Sequence, residues 1–189
     1  MNCNVVQQSL RWCQGQANYS GIRGQLLYTA VSNIVSWPKR KTSASGAELA
    51  EYNEAGGDSS SFVFRADTKF NVIDILSAKS KVTSDPNGEF PSGSQLNKIE
   101  AVIPTSGVDA ANLAASINNI PCIWIYRDME GKYRVVGCQR WASEIKNTIA
   151  TDSGTGAAGS AQSTLTIEAP DTTPPPAYFG SVDVVDEDA

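Results

Sequence analysis

Ala110, Leu113, Ala114 and Ile117 recur at the i, i+3, i+4, i+7 spacing that gives a helix one apolar stripe. The pattern predicts a helix over 109–119. Asp109 suits the N-cap or first turn, where a carboxylate meets free N–H groups and the positive end of the helix dipole. Asn118 and Asn119 tolerate a helix end, and Pro121 cannot continue one. The next run, Cys122-Ile123-Trp124-Ile125-Tyr126, is too short and too rich in β-branched and aromatic residues for a helix, so a strand is expected. Met129-Glu130-Gly131-Lys132 supplies a turn in which Gly131 is free to take positive φ, and 133–136 is the returning strand. A narrow helical stripe beside a broad apolar hairpin predicts a helix-on-sheet core. Leu113, Ile117, Ile123, Ile125, Val135, Leu165 and Ile167 are its expected members.

Upstream, 1–24 is polar and punctuated by glycine, with Trp12, Tyr19 and Ile22 as isolated apolar points. Residues 25–37 are β-rich and stop at Pro38. The stretch 39–61 has little to bury and predicts a long loop with one short helical turn at 47–53. Such a loop is either disordered or an arm that orders on a neighbour. Residues 62–65 and 70–76 are expected strands. In the second, Phe70, Val72 and Asp74 alternate with Asn71, Ile73 and Ile75, which suits a sheet contacted on both faces. The strand is expected to continue over 78–83 and to end at Asp85-Pro86-Asn87-Gly88, a turn signal. Its partner is 95–105, with Ile99, Ala101 and Ile103 on one face and Pro104 at its end. The hairpin tip, 84–94, should project. A glycine-rich loop over 147–160, a last strand over 164–168 and a stiff proline-rich exit over 170–176 complete the expected elements.

Length and composition fit one domain large enough for its own core: 189 residues, 41% hydrophobic and 19% charged. The expected organisation is an arm (1–24), a domain (25–169) with the 39–61 insertion, and a proline-rich acidic arm (170–189). Formal charge is −5 and unevenly spread. Arg11, Arg23, Lys39, Arg40 and Lys41 fall within 1–45, where no acid occurs, whereas Asp183, Asp186, Glu187 and Asp188 crowd the last nine positions. Such a chain suits charge-complementary stacking of copies, or simply solvated ends. The acidic balance disfavours a tight grip on nucleic acid.

No histidine occurs. This removes histidine triads and the common zinc-hydrolase ligand sets, and no lysine follows Ser153-Gly154-Thr155-Gly156 at phosphate-loop spacing. Cys3, Cys13, Cys122 and Cys138 form no C-x-x-C pair and are expected as free thiols, mostly buried. No catalytic site, cofactor or metal is therefore expected. A pair of carboxylates working as a glycosidase is the remaining enzymatic alternative, and a monomeric β-sandwich binding module the remaining non-enzymatic one. The first residues have neither the basic nor the apolar region of a signal peptide, and no apolar run approaches a membrane span, which predicts synthesis and folding in a cytoplasm with no membrane partner.

The strand at 124–127, the Arg127-Asp128-x-x-Gly131-Lys132-Tyr133 turn, the strand ending at Gly137, the Gly/Thr loop at 153–159, Ser163-Thr164-Leu165-Thr166-Ile167 and the 174–179 stretch Pro-Pro-Pro-Ala-Tyr-Phe follow one another in this order. This succession resembles the tail tube (major tail) proteins of tailed bacteriophages, and 21–31 resembles the family's first strand. The resemblance implies an α+β, mainly β fold: a sandwich or half-barrel of about seven strands with one main helix and extended arms. It also implies a virion structural protein of the tail, made in the bacterial host cytoplasm. Copies would close into a ring, sixfold or a multiple of six, or stack as a tube. DNA would pass through the lumen without specific binding, and adjacent tail or connector proteins would be partners. A head–tail connector or tail-completion ring is the related alternative. On this reading Trp12, Tyr19, Tyr52, Phe90, Tyr178 and Phe179 are candidate subunit contacts, with Lys39, Arg40 and Lys41 on the basic side and Asp186 and Glu187 on the acidic side.

Overall fold

The computed structural model describes residues 17, 19–44, 46–54, 60–157 and 159–185. Its strands in chain order are β1 (Ile22–Ala30), β2 (Ile34–Ser36), β3 (Arg40–Thr42), β4 (Glu48–Tyr52), β5 (Val63–Phe64), β6 (Asn71–Asp74), β7 (Lys81–Asn87) and β8 (Ser94–Ile103). After helix α1 (Val108–Ile117) come β9 (Cys122–Asp128), β10 (Tyr133–Val136), β11 (Lys146–Asp152), β12 (Gln162–Asp171) and β13 (Ala177–Tyr178). The fold is α+β and mainly β. Thirteen strands among the described residues exceed the expected seven, because several stretches that look like loops pair as short strands.

A seven-stranded sheet runs in the order β3-β4-β13-β10-β9-β1-β6, and a four-stranded antiparallel sheet in the order β11-β12-β8-β7. One buried cluster draws on both: Leu26, Ile123, Trp124, Ile125 and Val135 from the larger sheet, Ile99, Ala101, Leu165 and Ile167 from the smaller. The predicted hairpin lies inside the larger sheet, with Val135 opposite Ile125 and Val136 opposite Trp124. Every residue of β9 from Cys122 to Tyr126 is buried, since both faces of the sheet are covered there. Gly131 takes φ +92° in the turn, as expected. Gly137 is demanded more strongly: at φ +109°, a Cβ would stand 2.7 Å from Ile123 Cδ1 and 2.9 Å from Ile145 Cδ1.

The helix begins one residue early, with Gly107 as its N-cap and Asp109 in the first turn, and it ends at Ile117. It flanks β11. Of the seven expected core residues, six are buried; Leu113 is half-buried and packs against the rim of the core. The stripe on α1 is narrow, so only Ala110 and Ile117 reach full burial.

Five expectations need correction. The 47–53 stretch is strand β4, not a helical turn: Leu49 O accepts a bond from Arg40 on the facing strand, and Tyr52 is packed among aromatic rings. These contacts override the helical propensity of Glu-Leu-Ala-Glu. Asp85-Pro86-Asn87 does not turn but continues β7, with Pro86 opposite Gln95; proline is tolerated because β7 is an edge strand. The reversal falls at 88–93. A 3-10 turn at Ser77–Lys79 also separates β6 from β7, where one continuous strand was expected. Residues 147–152 form most of β11, with Ile149 opposite Leu165, so the glycine-rich loop is confined to 153–161. Finally, 170–185 is not a free arm. Pro170 and Asp171 end β12, β13 pairs with β10 and in parallel with β4, and Val184 bridges Phe70.

Candidate functional site

The four-stranded sheet has one face in the core and one in solvent. Along β12 the buried positions are 163, 165, 167, 169 and 171, in strict alternation with partly exposed ones. Register carries the outward face across the strands: Lys146 opposite Glu168 opposite Lys98 opposite Thr83, and Thr148 opposite Thr166 opposite Glu100 opposite Lys81. The ladder is cross-linked by charge. Lys81 Nζ lies 2.9 Å and Lys98 Nζ 3.3 Å from the Glu100 carboxylate, and Lys98 Nζ also lies 3.6 Å from Glu168. The two lysines hold the exposed Glu100 carboxyl below its usual range by hydrogen bonding to its ionised form. With Lys146, Asp85 and Asp152, the face carries three lysines and four carboxylates among threonines, with Leu96, Val102, Ala150 and Pro170 as its apolar members. It is largely polar and close to neutral.

Neither outer edge of this sheet, β7 or β11, makes a backbone hydrogen bond beyond the sheet to another described residue. An open edge with unpaired N–H and C=O groups is a template for another strand. Four antiparallel strands place oppositely directed strands at the two edges. Copies related by rotation can therefore join β7 to β11 without breaking the antiparallel order.

A second feature is a cleft of about 330 Å³ lined by Trp37, Arg40, Glu48, Tyr52, Arg140 and Asp171, among others. Arg40 and Asp171 form an ion pair whose side chains are only 9% and 2% exposed. Arg40 also donates to Thr173 Oγ1 at 2.7 Å and lies 5.0 Å over the Tyr52 ring. Asp171 accepts from Thr172 N at 2.6 Å. Burial pushes the Asp171 carboxyl above the usual carboxylate range, against the pull of Arg40 and Thr172. Desolvation lowers the Arg40 pKa, but Tyr52 and Asp171 more than offset it, and the guanidinium stays charged. Glu48 is held by Arg140 at 3.3 Å and by the Thr172 hydroxyl at 2.8 Å. The two carboxylates of the cleft are committed to arginines on its own walls, an arrangement that locks the β3–β4 hairpin to the end of β12.

The candidate contact residues separate into two groups. Tyr52 and Tyr178 are buried within the chain's own aromatic cluster with Phe62, and Tyr178 Oη accepts from Phe62 N and donates to Ser181 O. They are corrected from subunit contacts to core residues, because β13 enters the larger sheet between β4 and β10 and packs the two rings on Phe62. Arg40 is likewise taken up internally. Tyr19 is 65% and Phe90 98% exposed, and Phe179 is partly exposed, so these three remain available. Lys39 is exposed, and Lys41 pairs loosely with Glu51 at 3.3 Å. Trp12, Asp186 and Glu187 lie outside the described residues. Sequence reasoning missed Asp171 and the polar ladder of 81, 98, 100 and 168; alternation of charge with apolar residues at 98–103 was the available signal for the ladder.

Cys122 and Cys138 are buried free thiols, as expected; Cys3 and Cys13 lie outside the described residues. Burial pushes the Cys122 thiol up to about 11 and raises that of Cys138. At pH 8 the Cys122 thiol is then only about one-thousandth thiolate. Iodoacetamide followed by peptide mass mapping should leave both unmodified in the native protein and modify both in denaturant; native labelling at the rate of a free peptide thiol would contradict the buried placement.

Among the described residues, no three histidine, cysteine or acidic side chains converge as a metal ligand set, and no helix is long and apolar enough to cross a membrane. No model of a known protein family, no curated protein and no solved structure matches the chain.

Proposed function

We propose that this chain is a virion structural subunit that closes with copies of itself into a ring around a DNA conduit in a phage tail. The observation that carries the reading is the four-stranded sheet: one face in the core, one largely polar and near-neutral, and both edges without a partner strand among the described residues. Closure of β7 on β11 around a rotation axis satisfies both edges of this sheet and produces a barrel whose wall it forms. Six copies give roughly 24 strands at about 4.8 Å spacing, a bore of at least about 25 Å once side chains are allowed for. That admits a DNA duplex.

The chemistry of the outward face suits such a wall. DNA must move along it, so clustered unpaired lysines would act as a brake through phosphate contacts. Here Lys81 and Lys98 are held by Glu100 and Glu168, and the balance is slightly acidic. The resemblance of 124–137, 153–159, 163–167 and 174–179 to tail tube proteins points the same way. The test is electron microscopy of the purified full chain in negative stain, with sedimentation to give the mass. Closed rings or tubes with a central hole are expected. A chain that stays monomeric at every concentration would overturn the reading in favour of a monomeric binding module.

A further inference from the structure

The larger sheet carries a trough of about 510 Å³ whose partly exposed apolar lining is Val72, Val182 and Val184, over a floor of the buried Leu27 and Ile125. At its mouth stand Arg23, Arg127 and Tyr133. The two guanidiniums converge: Arg23 Nη2 and Arg127 Nη2 lie 3.4 and 3.6 Å from where a Cβ on Gly131 would sit. Arg127 donates to Gly131 O at 2.8 Å and lies 5.4 Å over the Tyr133 ring. Neither arginine has a carboxylate partner among the described residues, although the other arginines of β3, β10 and the 137–141 segment do. An apolar trough ending in two cations that have no carboxylate partner among the described residues suits an occupant that is apolar and anionic at once.

One surface of the chain has that chemistry. The β7–β8 tip presents Phe90, 98% exposed, directly after Glu89, with Asp85 nearby; 84–94 holds these two acids and no base. Neither carboxylate is in an ion pair among the described residues. The tip is preorganised, because Ser92 N donates to Glu89 O at 2.7 Å and Ser94 Oγ to Asn87 O at 3.3 Å. Phe90 at 98% exposure cannot be seated in its own chain's trough.

We propose that the Glu89–Phe90 tip of one copy seats in the Arg23–Arg127 trough of a second copy, with the Phe90 ring against the partly exposed Val72, Val184 and Tyr133 and the Glu89 carboxylate between the two guanidiniums. Key and slot are different surfaces, so the contact is head-to-tail and repeats from copy to copy. It rests on the ring reading only in that copies associate, and it is distinct from the β7–β11 edge pairing.

The test places the photocrosslinker p-benzoylphenylalanine at position 90 of the full chain and maps the cross-linked peptides. Cross-links to 23–27, 125–133 or 182–184 of a second copy are expected. Glu89→Arg should weaken association at least about tenfold, and adding Arg23→Glu and Arg127→Glu to it should restore most of that loss. Rings on the grid with cross-links elsewhere, or with none, would overturn the seating and leave the ring reading standing; a chain that never associates would overturn both. Removing 186–189 should not change the cross-link. A marked increase would show that the chain's own acidic tail fills the trough, and would also overturn the proposal.

Discussion

Asp171→Ala should cost about 3–5 kcal/mol of folding stability, because it strands the Arg40 guanidinium inside the protein with its charge uncompensated. The pair is buried on both sides, and the side chains are 131 positions apart in the chain. Arg40 cannot escape cheaply. Its other bonds, to Leu49 O and Thr173 Oγ1, and its stacking over Tyr52 hold it in place. The damage should therefore be local as well as global. Urea unfolding by circular dichroism reads the first effect, and limited proteolysis within 39–54 reads the second. Replacing both partners, as in Arg40→Met with Asp171→Leu, should recover much of the loss, since the desolvation cost disappears along with the attraction. A single Asp171→Ala variant within about 1 kcal/mol of the parent would mean that the pair is solvated and that the hairpin is held by something else.

Trp124→Ala should be comparably severe, at about 3–5 kcal/mol. Trp124 is fully buried and stacks on Tyr28 with ring centroids 5.0 Å apart. Its indole N–H donates to Asn147 Oδ1 at 2.8 Å, and Asn147 Nδ2 in turn donates to Ile120 O at 2.7 Å. One side chain thus joins the central hairpin to β11 and to the segment after α1. Trp124→Phe separates the two contributions: it keeps an aromatic ring and leaves Asn147 Oδ1 without its donor, for about 1–3 kcal/mol. Circular dichroism is the suitable probe, since three other tryptophans contribute to fluorescence. Equal losses for the two variants would place the whole effect in the hydrogen bond rather than in packing. Because Asn147 belongs to the edge strand β11, both variants should also lower the yield of rings if that edge closes the barrel.

The helix, the central hairpin and strands β8 and β12 were legible in the sequence. Each carries its own periodicity: 110, 113, 114 and 117 on one helix face, 99, 101 and 103 or 165 and 167 on one strand face. Burial of one face imposes that repeat locally, so it can be read without knowing what lies opposite. The mainly β class follows from the same residues. Strands β3, β4, β11 and β13 carry no comparable local mark, and they form because a distant segment supplies the other half of the ladder: β13 lies parallel to β4 some 126 positions away, and β11 is lined up by β12. The fate of Tyr52 and Tyr178 was decided in the same way. As isolated aromatics in polar stretches they look like contacts awaiting a partner; the pairing of β13 with β4 and β10 packs them on each other and on Phe62 within the chain. The trough and the polar wall are likewise products of register between strands. Sequence by itself determined which stretches had a face to bury, since that depends on spacing along one strand or helix. Only the tertiary structure decided which faces met, which strands became edges and which charges were paired, because pairing energy depends on contacts between residues the chain order does not bring together.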